Sequence, residues 1–102
     1  MRDKVTSLEQ AAARIKDGAR VVMSANLQRS PMALLRQVAR QGTRKLRVVG
    51  VVGGDLNIDF LVGAGAVGIV DTCSVTLGAF ARTGPNFARY AQEGRVRALD
   101  NT

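Results

Sequence analysis

The stretch Val48-Val49-Gly50-Val51-Val52-Gly53-Gly54-Asp55-Leu56-Asn57-Ile58-Asp59-Phe60-Leu61 decides how the rest of the chain is read. An aliphatic run that begins at Leu46 stops at paired glycines. An acid follows at once, and apolar residues then recur at helical spacing. A strand buried on both faces reads this way when it empties through a tight loop into a helix. Gly53 and Gly54 carry no Cβ, which permits positive φ and the close approach of another molecule. In open α/β sheets, ligands bind beyond the carboxyl ends of the strands, so this loop is the first candidate for a site. A Gly-Gly-Asp is also an ordinary tight turn, so its surroundings decide its meaning.

Upstream, Thr6-Ser7-Leu8-Glu9 fits a capping box with Thr6 as N-cap and Glu9 reaching back, and predicts a helix over roughly residues 7–16. The β-branched run of residues 19–25 predicts the first strand, and the polar residues 26–30 a loop after it. Ser30-Pro31 reads as N-cap and first helical residue of a second helix that Gly42 stops. Residues 45–52 form the second strand, nearly all aliphatic and therefore placed centrally. Downstream, Ile58, Leu61 and Val62 give a short helical face that ends at Gly63 and Gly65. Residues 66–73 are the third strand, and 74–83 an irregular stretch. Gly84-Pro85-Asn86 opens a last helix with Phe87, Tyr90 and Ala91 on one face, stopped by Gly94 before a fourth strand over 95–99.

The order α-β-α-β-α-β-α-β predicts an open parallel α/β sheet of βαβ units with right-handed crossovers, in one domain over residues 1–102. Its carboxyl-end loops are 24–30, 53–56, 74–83 and the last residues 100–102. They should share one rim.

The 102 residues are 46% hydrophobic, as expected of a globular chain. No run approaches the roughly 20 apolar residues of a membrane span. The charged start Met1-Arg2-Asp3-Lys4 does not lead into an apolar segment, and Cys73 is the single cysteine. Together these make the cytoplasm the expected compartment. Histidine is absent, which removes histidine bases, triads and metal ligands from this chain. The net charge is +7, but the 15 basic residues are dispersed and only four aromatics are present. Nucleic acid is therefore not the expected partner, although a small basic nucleotide- or nucleic-acid-binding module stays open as the non-enzyme alternative.

Asp17-Gly18-Ala19-Arg20-Val21-Val22-Met23, followed by a loop, Pro31 and a helix, resembles the opening of the A (alpha) subunit of family I CoA-transferases. The stretch from Gly50 to Gly65 resembles the same subunit of the glutaconate-type enzymes, and Phe87-Ala88-Arg89-Tyr90-Ala91-Gln92-Glu93-Gly94 also has a counterpart there. The resemblance covers nearly the whole chain, and those A subunits are more than twice as long. It implies the N-terminal part of an A subunit, with a Rossmann-like, NagB-like three-layer fold that is incomplete here. It also implies a partner B half.

In that family a glutamate carboxylate of the B half attacks an acyl-CoA thioester, and CoA passes by way of that glutamate to a second carboxylic acid. Glu9 and Glu93 are the only glutamates here and neither matches it, so the resemblance implies no catalytic residue in this chain. Acyl-CoA and a carboxylic acid would be substrates, with coenzyme A a substrate too. No cofactor and no metal are implied.

What the resemblance assigns to this chain is the wall of the acyl-CoA site, at Ser24, Ala25 and Asn26 and at Gly53, Gly54 and Asp55. Ser24-Ala25-Asn26 stands where the family often has Gly-Gly-Phe, and the loop before Pro31 is one residue shorter. A related group with the same fold opens a carbon ring during steroid catabolism as acyl-CoA hydrolases, and residues 1–8 are similar to their A subunits. That reading stays open as the enzymatic alternative.

Arg29 could meet a substrate carboxylate or a CoA phosphate through its planar fork, or be solvated. Ser24 and Asn26 could bind an acyl group or their own backbone. Asp55 suits the N-cap of the following helix as well as a place behind the site. Ser74, Thr76 and Gly78 are further candidates for the rim. Cys73 reads as a buried small hydrophobe, and Asp59 and Asp71 as structural or solvent-facing.

Overall fold

The computed structural model describes residues 7–24, 31–51, 54–72, 74–77 and 82–99. The elements run α1 (Leu8–Ala13), β1 (Arg20–Ser24), α2 (Met32–Arg40), β2 (Leu46–Val51), α3 (Leu56–Gly63), β3 (Val67–Asp71), α4 (Pro85–Gln92) and β4 (Arg97–Leu99). This is the alternation that the sequence predicts. The four strands form one sheet in the order β1-β2-β3-β4, every pair parallel. The aliphatic β2 is interior, as expected.

Successive helices are neighbours, α1 with α2, α2 with α3 and α3 with α4. A parallel sheet whose strands follow chain order, joined by right-handed crossovers, puts every connecting helix on the same side. The core lies between that helical layer and the sheet. Leu35 and Val38 of α2, Ile58, Leu61 and Val62 of α3, and Leu46, Val48 and Val70 of the strands are all at most 2% exposed. Of the three layers expected, the described residues form two.

The helix ends show why the glycine signals were legible. Gly42, Gly65 and Gly94 each follow a helix C-cap and have φ between 73° and 77°. After α3, Ala66 N–H donates to Leu61 O at 3.1 Å and Gly65 N–H to Val62 O at 2.9 Å. After α4, Arg95 N–H donates to Tyr90 O and Gly94 N–H to Ala91 O. Both are Schellman closures, which occupy carbonyls that the helix cannot. At α4 the Arg95 guanidinium also lies 4.0 Å from the Tyr90 ring centroid, so the closure carries a cation–π contact.

Two helix starts differ from expectation. The N-cap of α1 is Ser7, not Thr6, and its partner is Gln10, not Glu9. Thr6-Ser7-Leu8-Glu9-Gln10 contains the capping box twice, offset by one residue, and the structure uses the second copy. The helix is also shorter than the predicted 7–16. The carbonyls of Ala12 and, just past the helix, of Ile15 accept from the side chain of Gln41, the C-cap residue of α2, at 2.8 and 3.2 Å. In α2, Pro31 is itself the N-cap, with no side-chain capping bond, where Ser30 was expected. Ser30 lies outside the described residues.

Candidate functional site

All four strands point the same way, so their carboxyl ends share one rim. At that rim the loop after β2 is tied to the segment after β3. Gly54 N–H donates to Ser74 O at 2.7 Å, and Thr76 N–H donates to Gly54 O at 3.0 Å. These two bonds make Gly54 and Val75 an isolated parallel bridge, a short continuation of the sheet beyond β2 and β3. Gly54, Asp55, Ser74 and Thr76 are thus brought together, as the sequence expected. Thr72 reinforces the tie with its hydroxyl, 3.4 Å from both Gly50 O and Ser74 O.

Gly54 is needed for a different reason from the one read in the sequence. It is not among the residues with positive φ. Instead, a Cβ built there would meet Ile58 Cδ1 at 2.5 Å, and Ile58 is fully buried. The glycine lets α3 pack directly under the loop, so its close approach is to the protein's own core.

Asp55 is 7% exposed, and its carboxylate turns back to accept from Asn57 N–H at 3.3 Å. It is the N-cap of α3, one of the two roles expected of it. Asn57 Oδ1 in turn accepts from Asp55 N–H and Ile58 N–H, at 3.3 and 2.7 Å. Gly54 and Asp55 are therefore the foundation of the rim. Ser74 is exposed and Thr76 half-buried, and these two form its outer surface.

Ser24 closes β1 in register with Val51. Ala25, Asn26, Arg29, Gly53, Gly78 and Cys73 lie outside the described residues.

Sequence reasoning passed over the group that extends this frame to α4. Gly84 N–H donates to Val75 O at 2.8 Å. The next residues open α4, whose first N–H groups meet the carboxylate of Asp59 on α3. Phe87 N–H donates to Asp59 Oδ1 at 2.8 Å, and Asn86 Nδ2 to Oδ2 at 3.1 Å. Asp59 is 3% exposed, so the expectation of a structural role holds and that of a solvent-facing one does not. Asp59 stands 28 positions before Phe87, so no local pattern in the sequence marked the contact.

The opposite rim holds an open groove of about 600 Å³ lined by residues that include Ile15, Asp17, Gln41 and Thr43. Its polar groups serve the fold. Gln41 holds the end of α1, and Asp17 accepts from Arg44 N–H at 2.9 Å. Glu93 is the C-cap residue of α4, also away from the carboxyl rim, and pairs with Arg95 at 3.3 Å. Among the described residues no cluster of acids and cysteine could hold a metal ion. None of the described helices is long and apolar enough to cross a membrane.

In open parallel α/β sheets, ligands bind in the crevice beyond the carboxyl ends of the strands, the rim where these loops are cross-tied. The family model of coenzyme A transferases matches residues 5–98, and the chain belongs to that family. No curated protein matches it significantly. Among solved structures it is similar to a variant of the decarboxylase AibA/AibB, with 26% identity and a TM-score of 0.78 over 95% of this chain. It is also similar to glutaconate coenzyme A-transferase from Acidaminococcus fermentans, with 20% identity and a TM-score of 0.82 over 98% of this chain. The second likeness bears on the fold alone. The chain spans 38% and 32% of the length of those two chains.

Proposed function

We propose that this chain is the N-terminal portion of the A subunit of a coenzyme A-transferring enzyme, and that it lines the acyl-CoA site while a B half supplies the nucleophile. The family match over residues 5–98 carries this reading. The rim agrees with it. Gly54, Ser74 and Thr76 are held by backbone hydrogen bonds to one another, which fixes the loops before any ligand arrives. A preorganised loop wall positions an acyl group at little cost in reorganisation.

The chemistry assigned to this chain is binding and orientation. Neither glutamate stands at the rim ties described, and the carboxylates of Asp55 and Asp59 are committed to helix N-termini. In this reading the carboxylate nucleophile belongs to the B half, attacks the thioester carbonyl and releases the CoA thiolate. Coenzyme A is a substrate in this account, and no resident cofactor is involved.

The family fold also frames a decarboxylase, as the AibA/AibB structure shows for that protein. Ring-opening acyl-CoA hydrolysis is a third outcome on the same frame. One assay separates them. The chain and its partner are given acyl-CoA and an isotopically labelled free acid. Label entering the CoA thioester supports transfer. Free CoA with no label exchange marks a thioesterase, hydration of the acyl ring without loss of CoA marks ring opening, and release of CO₂ marks decarboxylation.

A further inference from the structure

The ties at the carboxyl rim run in a closed circuit, and a buried carboxylate closes it. In the first turn of α3, Asp59 N–H donates to Asp55 O at 3.1 Å. Asp55 follows Gly54, whose N–H and carbonyl bond to Ser74 and Thr76 on either side of Val75. Val75 O accepts from Gly84 N–H at 2.8 Å. Just beyond Gly84 the start of α4 returns to Asp59, where Phe87 N–H and Asn86 Nδ2 donate to the two carboxylate oxygens. The other links of the circuit run from backbone to backbone.

Gly84 is wedged between the acid and the rim segment. A Cβ built there would fall on Asp59 Oδ1 and lie 3.0 Å from Val75 Cγ1. Asp59 and Val75 are 3% and 2% exposed, so neither reaches the outer surface that Ser74 and Thr76 form.

We infer that Asp59 is a positioning residue for the wall made by Gly54, Ser74 and Thr76. Its carboxylate fixes where α4 begins. Gly84 carries that position to Val75, and Val75 holds its two neighbours against Gly54. The inference deepens the proposed acyl-CoA site and rests on that reading.

A carboxylate suits this task. The N-cap of α4 is Gly84, which has no side chain to offer, and Pro85 follows it. Open N–H groups at a helix start attract an anion, most strongly where water does not screen it. Both oxygens of Asp59 are engaged, so the group cannot turn without losing a bond. A binding wall is useful only when held to within about 0.5 Å by packed, hydrogen-bonded support. An acid that merely capped α4 would affect stability and leave the rim of the folded molecules unchanged.

Scalar couplings across hydrogen bonds read that rim geometry directly in the 102-residue chain. Asp59→Ala is expected to reduce by about half the couplings from Gly54 N–H to Ser74 O and from Thr76 N–H to Gly54 O. The coupling from Arg47 N–H to Ala19 O, between β1 and β2, is the control and stays unchanged. Asp59→Asn keeps an acceptor, gives an intermediate loss, and carries the test if the alanine variant does not fold. The chain in complex with its co-expressed partner is then titrated with acetyl-CoA as the probe thioester. Asp59→Ala is expected to bind it about tenfold more weakly, and Asp59→Asn to regain most of that loss. Ser74→Trp, at an exposed rim position, checks the site reading by itself. Unchanged rim couplings in the folded variants overturn the inference. So does acetyl-CoA binding that Ser74→Trp weakens and Asp59→Ala does not. Rim couplings that fall while neither variant alters acetyl-CoA binding, or an unaltered complex that binds none, overturn the site reading and the inference with it.

Discussion

The Asp59 carboxylate on α3 accepts the backbone N–H of Phe87 on α4 at 2.8 Å. That bond joins two helices that β3 and residues 72–84 separate in the chain. It makes the start of α4 a property of α3. With Asn86 also bonded to the carboxylate, the acid serves as the cap that Gly84 cannot supply. Replacing it leaves half-buried donors unpaired. Asp59→Ala is therefore expected to lower stability by about 2–4 kcal/mol in urea unfolding. Asp59→Asn keeps one acceptor and should lose less.

Gly84 is expected to report on the same contact. A Cβ there would fall onto Asp59 Oδ1. Gly84→Ala should push the carboxylate off the helix start and reproduce much of the Asp59→Ala loss. Adding Gly84→Ala to Asp59→Ala should then cost little more, a coupling of at least about 1 kcal/mol in a double-mutant cycle. Simple additivity would show that Gly84 matters for another reason.

Gly54 makes a sterically defined prediction. Its added Cβ would lie 2.5 Å from Ile58 Cδ1 and 3.2 Å from Cγ1. Gly54→Ala should cost about 1–3 kcal/mol, since the fully buried Ile58 has nowhere to move. Ile58→Val removes Cδ1 and alone costs about 1 kcal/mol. Combined with Gly54→Ala it should recover part of the loss. A double variant as unstable as the sum would contradict the packing account of this glycine.

The cross-strand pair Arg47–Asp71 allows a comparison of its two halves. The side chains are 34% and 14% exposed, so the attraction itself is worth only about 1 kcal/mol or less. Removing the acid, however, leaves a guanidinium whose Nε is already buried without a hydrogen-bond partner among the described residues. Asp71→Ala is expected to destabilise more than Arg47→Met, which keeps the aliphatic stem and removes the charge. Unfolding midpoints in low and high salt check this, with the Asp71→Ala deficit shrinking in about 1 M salt.

The fold was legible because its signals are local. The helices α2, α3 and α4 end at Gly42, Gly65 and Gly94, and these glycines adopt the positive φ that such stops require. The stretch around Val48 and Gly54 gave the strand, the turn and the helix start at Asp55 from adjacent residues alone. The site was less legible for a physical reason. The ties from Gly54 to Ser74 and Thr76, and from Asp59 to Phe87, join residues 20 or more positions apart, which no local pattern encodes. Gly54 illustrates the limit. The sequence shows that no side chain fits there, but not that the obstacle is Ile58 of the same chain. The capping box at Thr6 and Ser7 failed in another way, because two equivalent frames overlap and propensity cannot choose between them.

The most direct test of the central claim is a native mass measurement on the chain purified with its co-expressed genomic neighbours, with and without acyl-CoA. The account predicts a complex with a second, different polypeptide that gains mass on adding acyl-CoA. A stable 10.8 kDa monomer that binds no acyl-CoA would contradict it, leaving the sheet intact and the proposed site without a function.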